Sequence, residues 1–291
     1  MAIEEITKAA LRGDTVRVTP EEFVKVIRSE VWRRRDALKV RPRFESVDGG
    51  VLDLRGMDLG LVECSGADLR SVSFEGADLT RSVFARSDLR GVNLRGVRAP
   101  SVAFTGAQLD GADLSNSRLV LCHAVGASMR MVNLNGAMME DAGLSRADLS
   151  GASFGYTDLT GAILASSCLE GANFYETLLS GADMSNVSLA GANGLPVAPR
   201  VANLAASIFS EGPKRLRMHV WHCRTAHCFA GHATSKAGDA GRELESAYGT
   251  AVAGALIWHQ SEGVIPPFYV IDSAAWEWLE KHVRATGGAE C

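Results

Sequence analysis

Between Leu52 and Pro196 the chain repeats every five residues, and no insertion or deletion breaks the frame. Those 145 residues divide into 29 units, among them ADLRS, VSFEG, ADLTR, ADLSN, ADLSG, ANFYE and ADMSN. The third place of each unit is nearly always Leu, Phe or Met, as at Leu54, Leu69, Phe74, Leu114, Phe154 and Met184. The first place is small or β-branched, the second is often Asp or Asn, and the fifth is often Gly. A period of five matches neither the 3.6 of a helix nor the 2 of a strand. It matches a solenoid with flat sides, in which each unit makes one side and its corner. The first and third places then point inward, and the other three face solvent. Such a narrow core fills without voids only if every coil keeps the pattern. An aromatic content of 7% beside 30 glycines suits a core of that width.

These units resemble the pentapeptide-repeat family, whose repeat is A(D/N)LXX. The resemblance implies a mainly β fold: a right-handed, four-sided β-helix with four units per coil. Twenty-nine units then make about seven coils, a rod of about 34 Å at roughly 4.8 Å per strand spacing. Ala99, Ala124, Gly194 and the smaller Cys64 replace the large inward residue, and local narrowing or small cavities are expected there.

Three regions follow: residues 1–51 as an N-terminal helical cap, 52–196 as the β-helix, and 197–291 as a C-terminal α-helical domain. In the first, Thr19-Pro20-Glu21-Glu22 carries an N-cap, a proline at N1 and the Glu of a capping box. Phe23, Ile27 and Val31, with Val24 and Trp32, give the helix that follows an apolar face. Arg33–Arg35 are expected in its last turn, favourable against the helix dipole. A solenoid end left open templates aggregation, so this helix reads as its cover. Arg33–Arg35, Lys39, Arg41 and Arg43 could instead form a nucleic-acid patch, but Glu30, Asp36 and Glu45 dilute the run. Beyond Pro196 the frame ends. Helices are expected near 200–210, 225–237, 240–248, 250–261 and 273–285, with Trp221, Trp258, Trp276 and Trp278 in their core.

Residues 219–232 hold four His and two Cys: His219, His222, Cys223, His227, Cys228 and His232. Zinc takes four nitrogen or sulfur ligands in a tetrahedron. Cys228 and His232, four apart, would share a helix face, with Cys223 and His219 completing the set. The spacing fits no known finger, and two buried thiols among packed His and Trp are the competing reading. A Cys–His nucleophile built on Cys223 lacks an orienting third group and an oxyanion hole. The stretch from His222 through Leu244 to Pro266-Pro267-Phe268-Tyr269 vaguely resembles the tails of other bacterial and phage pentapeptide-repeat proteins, with no activity attached. No phosphate loop, dinucleotide fingerprint or paired-carboxylate motif is present in the sequence.

Charge frames the functional alternatives. The whole chain carries −4, too balanced for a dedicated polyanion binder, so no direct nucleic-acid contact is expected. The first 14 residues lack the apolar core of a secretory leader, and the uncharged run Ser246–Ser261 is too short and polar to span a membrane. Six Cys in 291 residues make no disulfide framework, and a reducing, cytoplasmic setting is expected. Well-understood members of the family bind topoisomerases: an acidic rod mimics DNA and relieves gyrase inhibition. Residues 50–195 hold 16 acids and 10 bases, with the whole excess after residue 100. B-DNA would present about 20 charges over the same length. The favoured reading is therefore a non-enzymatic scaffold, a rod presenting a C-terminal recognition domain to a protein partner. Gyrase binding with protection from gyrase inhibitors is the alternative. An enzyme dependent on zinc or on the Cys/His cluster comes third.

Overall fold

The structure, a computed structural model, describes residues 2–29, 32, 41–195, 233, 236–248, 250–262, 265 and 272–285. Helix α1 (Ile3–Arg12) ends on Gly13, whose φ of 86° lets its N–H and that of Asp14 return to Ala10 and Ala9 carbonyls. Strand β1 (Thr15–Val18) follows, then helix α2 (Pro20–Arg28). The capping box at its start forms as expected: Thr19 Oγ1 accepts from Glu22 N–H at 3.2 Å, and Glu22 Oε2 accepts from Thr19 N–H at 2.9 Å.

Two features of this cap differ from the sequence reading. Helix α2 stops at Arg28, because Ser29 is extended (ψ 148°). The expectation for Arg33–Arg35 and Lys39 lies outside the described residues. The cap is also not purely helical. Strand β2 (Arg43–Ser46) pairs in parallel with β1, Val16 beside Phe44, and Arg43 bridges on to Asp68 in the first coil. The solenoid's ladder thus continues into the cap, which occupies an open strand edge with backbone partners rather than with apolar cover alone. Phe23, Trp32 and Phe44 are fully buried beneath it in edge-to-face contacts at 4.9 and 5.7 Å, and Trp32 Nε1 donates to the Glu63 carbonyl at 2.6 Å.

From Leu52 to Leu195 the chain is a β-helix solenoid. Strands β3 (Leu52–Asp53) and β4 (Val72–Ser73) pair in parallel, and isolated bridges repeat the offset of 20 residues up to Asn173 with Asn193. Twenty residues per coil means four units and four sides. We number the sides from Leu52, Met57, Val62 and Ala67, each recurring every twentieth residue. Within a side the N–H groups of the second, third and fifth places bond to neighbouring coils, as at Asp78 to Met57 O, Leu54 to Ser73 O and Gly56 to Glu75 O, each 2.9 Å. At the corner the next unit's first N–H returns to the third-place carbonyl, as Ala77 does to Phe74 at 2.8 Å.

Third-place side chains are buried from Leu54 to Leu189, including Leu114, Leu134 and Phe154. Several Ser and Thr at buried first places donate to carbonyls, as Thr157 Oγ1 does to Leu134 and Thr177 Oγ1 to Phe154, both at 2.7 Å. Small third-place residues compensate large ones. Ala99 shares a coil with Phe104, while Cys64 and Ala124 bracket the pair Phe84 and Phe104 on side three, whose rings stack at 5.7 Å. Gly194 is the exception: it is exposed, not inward, and closes the rod against the backbone of Phe174 and Tyr175.

The fifth place explains the glycine preference. It sits at the third position of a tight turn and takes φ of +53° to +70° at nearly every unit, which glycine adopts without strain. Thirteen non-glycine residues also hold this conformation, among them Leu61, Met131 and Tyr156, so ladder bonds impose the corner even where the residue opposes it.

Three helices described beyond residue 196 are α3 (Gly238–Tyr248), α4 (Thr250–Glu262) and α5 (Asp272–Ala285). Those expected near 240–248, 250–261 and 273–285 are thus present; the one near 200–210 falls outside the described residues, and of the one near 225–237 only its end is described, where Ala237 N–H donates to the Ala233 carbonyl at 3.0 Å. The uncharged run is α4, with Val252, Ala253 and Ala255–Trp258 all buried, so it is a core helix. No described helix is long and apolar enough to cross a membrane. These helices meet the last coil: Gly181 N–H donates to the Tyr248 carbonyl at 3.0 Å, and Ile265 and Trp278 line a cavity with Asn186–Ala190.

Candidate functional surfaces

The outward second place is the first chemical feature of the rod. Its Asp or Asn carboxyl or amide oxygen accepts the N–H two residues on, as Asp113 does from Ser115, Asp158 from Thr160 and Asp183 from Ser185, each 2.9 Å. That fourth-place N–H has no ladder partner, and an Asx turn satisfies it. The acid is there for the backbone first, and only secondarily for surface charge.

Many of these acids are also held by arginine. On side four, Asp68 pairs with Arg70, Asp88 with Arg90, and Asp110 with Arg130, each at 2.7 Å, while Arg70 and Arg130 lean toward Asp88 and Asp148 in neighbouring coils. On side one Arg55 clamps Asp53 at 2.7 Å. On side two an open groove of about 720 Å³ contains Asp58, Asp78, Thr80 and Arg98. Arg98 bonds Asp78 at 2.5 Å and Thr80 at 2.9 Å, and Arg28 donates to the Asp58 carbonyl at 3.1 Å, while Arg81 also lines the groove. Asp110 and Asp148 are both engaged by Arg130, whereas Asp141 is exposed.

These contacts set the carboxyl acidities. Arg55 holds the Asp53 carboxyl down at about 2. At Asp68, Asp78, Asp88 and Asp110 burial pushes upward, but hydrogen bonds from the arginines and nearby N–H groups outweigh it and the acidity falls below the usual carboxylate range. A carboxyl lowered in the fold stabilises it above the unfolded value, about 3.9, and loses that contribution as pH falls through the folded value. Asp183 runs the other way, raised by burial at the last coil. With these five, and Glu4, Glu21 and Asp48 of the cap, lowered against one raised, thermal melts should hold level from pH 7 to about pH 4 and fall steadily toward pH 2. A melting temperature unchanged at pH 2.5 would contradict the role given to these pairs.

The sequence-derived ligand set of Cys223, Cys228, His232 and His219 lies outside the described residues. Among the described residues no group of three or more His, Cys, Asp or Glu could hold a metal ion. Cys122 is fully buried and its thiol is pushed up to about 12, so it packs as an apolar side chain. The sequence reading did not single out a pair in the C-terminal helices. Glu262 of α4 and His282 of α5 approach to 3.5 Å, with the His282 ring stacked on Trp278 and Trp278 edge-on to Trp258. Residues twenty apart on separate helices leave no local signal. Burial also lowers the basicity of the His259 imidazole.

The fold and its surfaces define a solenoid of five-residue units with paired outward charge. The family description "Pentapeptide repeats" matches in 8 copies, at residues 53–98, 102–141, 127–165, 142–181 and 167–193. The chain belongs to the pentapeptide-repeat family. Similar solved structures include HetL of the cyanobacterium Nostoc sp. strain PCC 7120, described as involved in heterocyst differentiation regulation. It is 23% identical over 50% of this chain and 84% of that one, with a TM-score of 0.33. A pentapeptide repeat protein of the Arabidopsis thaliana thylakoid lumen is 32% identical, covering 35% of this chain and 70% of that one, TM-score 0.26. Trypsin-treated QnrB1, described as a plasmid-mediated fluoroquinolone resistance protein, is 14% identical over 51% and 78%, TM-score 0.26. Among curated proteins none matches this chain.

Proposed function

We propose that the protein is a non-enzymatic interaction scaffold in three parts: a cap at 1–51, a right-handed rod of about seven coils at 52–196, and a recognition segment at 197–291. The observation that carries this reading over DNA mimicry is the pairing of the rod's acids. A mimic of the DNA backbone must offer unneutralised charge in a regular row. Here Asp53, Asp68, Asp78 and Asp88 in the first half, and Asp110 at the start of the acidic half, each keep an arginine within 2.7 Å, so no regular row of free charge runs the length of the rod. What remains for a partner is the C-terminal segment, rich in the Trp, Tyr, His and Arg side chains that anchor interfaces.

Gyrase is the alternative partner. A supercoiling assay with the full chain, with and without a quinolone, separates the two readings. No effect on gyrase is expected. Protection that Asp113→Lys and Asp141→Lys abolish would establish the mimic and overturn the scaffold reading. Cutting at Pro196 would bare the last coil that α3–α5 pack against, so surface substitutions in the full chain are the cleaner probe.

For Cys223, Cys228, His232 and His219 we favour packing over metal. Purified protein should carry background zinc and melt identically with and without chelator. Near-stoichiometric zinc, lost together with the fold of the C-terminal segment in Cys228→Ser, would make these four residues a structural metal site.

A further inference from the structure

Exposed aromatic and apolar side chains gather at one corner of the rod, between sides one and two in the coils from Val132 to Gly191. The rod's two tyrosines stand there, Tyr156 67% exposed and Tyr175 52%, with their rings edge to face at 5.5 Å. Beside them the second-place column of side two runs Met138, Asp158, Leu178, each bridged to the next, with Met138 43% and Leu178 57% exposed. Isolated apolar residues on a surface need no explanation, but four together with a charged rim mark an interaction site. The turn itself does not ask for these corner side chains. Tyr156 and Glu176 hold φ of 58° and 53° in the column that Gly136 fills without strain one coil earlier.

The rim carries one sign of charge. From residue 119 to 181, sides one and two include Glu140, Asp141, Asp158 and Glu176 and neither Lys nor Arg. Arg118, one coil before Met138, is the nearest base on these sides. The acids of the rod's first half are clamped, but among the described residues no ion pair engages these four. Glu140 also has Oε2 shut away from water with no hydrogen-bond donor, a cost that a cationic side chain docked on that carboxylate would relieve. Side two ends where Gly181 N–H meets the Tyr248 carbonyl, so the patch abuts the C-terminal helices.

We propose that this corner binds a cationic amphipathic helix of a protein partner. The helix lies along the rod, its apolar residues on Met138, Leu178 and the tyrosine rings and its Arg or Lys over the four carboxylates. Charge selects this occupant. A second copy would bring the same acids against themselves, and nucleic acid or an anionic lipid surface would be repelled. Arginine suits the site best, because its planar head stacks on a tyrosine ring while forking to a carboxylate. Spacing favours a helix: Met138 and Leu178 are two coils apart, about 9.6 Å, and helix residues seven apart are separated by about 10.5 Å. This adds a contact on the rod to the scaffold reading and does not depend on what the C-terminal segment recognises. It differs from DNA mimicry in needing the apolar centre as well as the charge.

Fluorescence anisotropy tests this, with the full chain titrated into a labelled synthetic helix of about 15 residues bearing Leu seven apart and Arg beside each. Saturable binding in about the tens-of-micromolar range is expected. Glu176→Lys should weaken it about tenfold. Tyr156→Gly should weaken it about fivefold or more and leave the melting temperature nearly unchanged, because glycine suits that corner. Glu170→Lys makes the same change in net charge on side four, across the rod, and should alter affinity less than about twofold. The proposal is overturned if no saturable binding is seen up to about 1 mM, or if Glu170→Lys harms binding as much as Glu176→Lys. Binding that falls with Glu176→Lys but ignores Tyr156→Gly would be charge attraction alone and would overturn it as well.

Discussion

Leu134→Ala should lower stability by about 2–5 kcal/mol. Leu134 is fully buried at a third place of side one, midway along the rod, between Leu114 and Phe154 in the adjacent coils. Its backbone is pinned on both faces: Leu134 N–H donates to Ser153 O at 2.9 Å, and its carbonyl accepts the Thr157 hydroxyl at 2.7 Å. Ladder bonds fix the coil spacing, so the walls cannot collapse into the space left by the side chain, which places the cost in the upper part of that range. Because each coil contacts only its neighbours, the damage also weakens coupling between the two halves of the solenoid. Urea titration read by circular dichroism checks this. A loss below about 1 kcal/mol would mean that the inward register is not what holds the coils.

Gly194→Ala should cost at least about 2 kcal/mol and release the last coil. Gly194 has φ of +71°, and a Cβ there would sit 2.4 Å from the Tyr175 nitrogen and 2.8 Å from the Phe174 carbonyl carbon. Those are backbone atoms and cannot rotate away. Asn193 before it is tied twice, its N–H to Ala172 O at 2.9 Å and its carbonyl to Phe174 N–H at 2.8 Å. Relief therefore requires breaking the final ladder bonds. Gly191→Ala is the control: φ is +68°, but the nearest atom to its Cβ is 3.8 Å away, so only the left-handed penalty of about 1 kcal/mol applies. Hydrogen exchange at the Phe174 and Asn193 amides, with melting curves for both variants, separates the two effects. Equal behaviour of the two would remove the contact argument.

The inward pattern was legible because it is local. Each unit states its own large third place, and Leu114, Leu134 and Phe154 are buried as that pattern requires. The capping box at Thr19 and Glu22 was legible for the same reason, since its partners lie three residues apart. Other features were not. Strand β2 carries no strong pattern in four residues and becomes a strand only because β1 and Asp68 offer it ladder partners. Gly194 occupies a third place and reads as a gap in the core, whereas its role is to let the final coil close onto backbone.

By itself the sequence determined the period, the length of the unbroken frame and which two places of five face inward, because an uninterrupted repeat leaves burial no other register. Tertiary structure alone decided what the outside presents. Residues that share a side stand twenty apart, so the clamps of Arg98 on Asp78 and of Arg130 on Asp110 exist only once the coils stack. The physical reason is the same for both. Inward packing and the arginine pairs two residues apart are settled within a coil, whereas the pairs twenty apart are settled between coils.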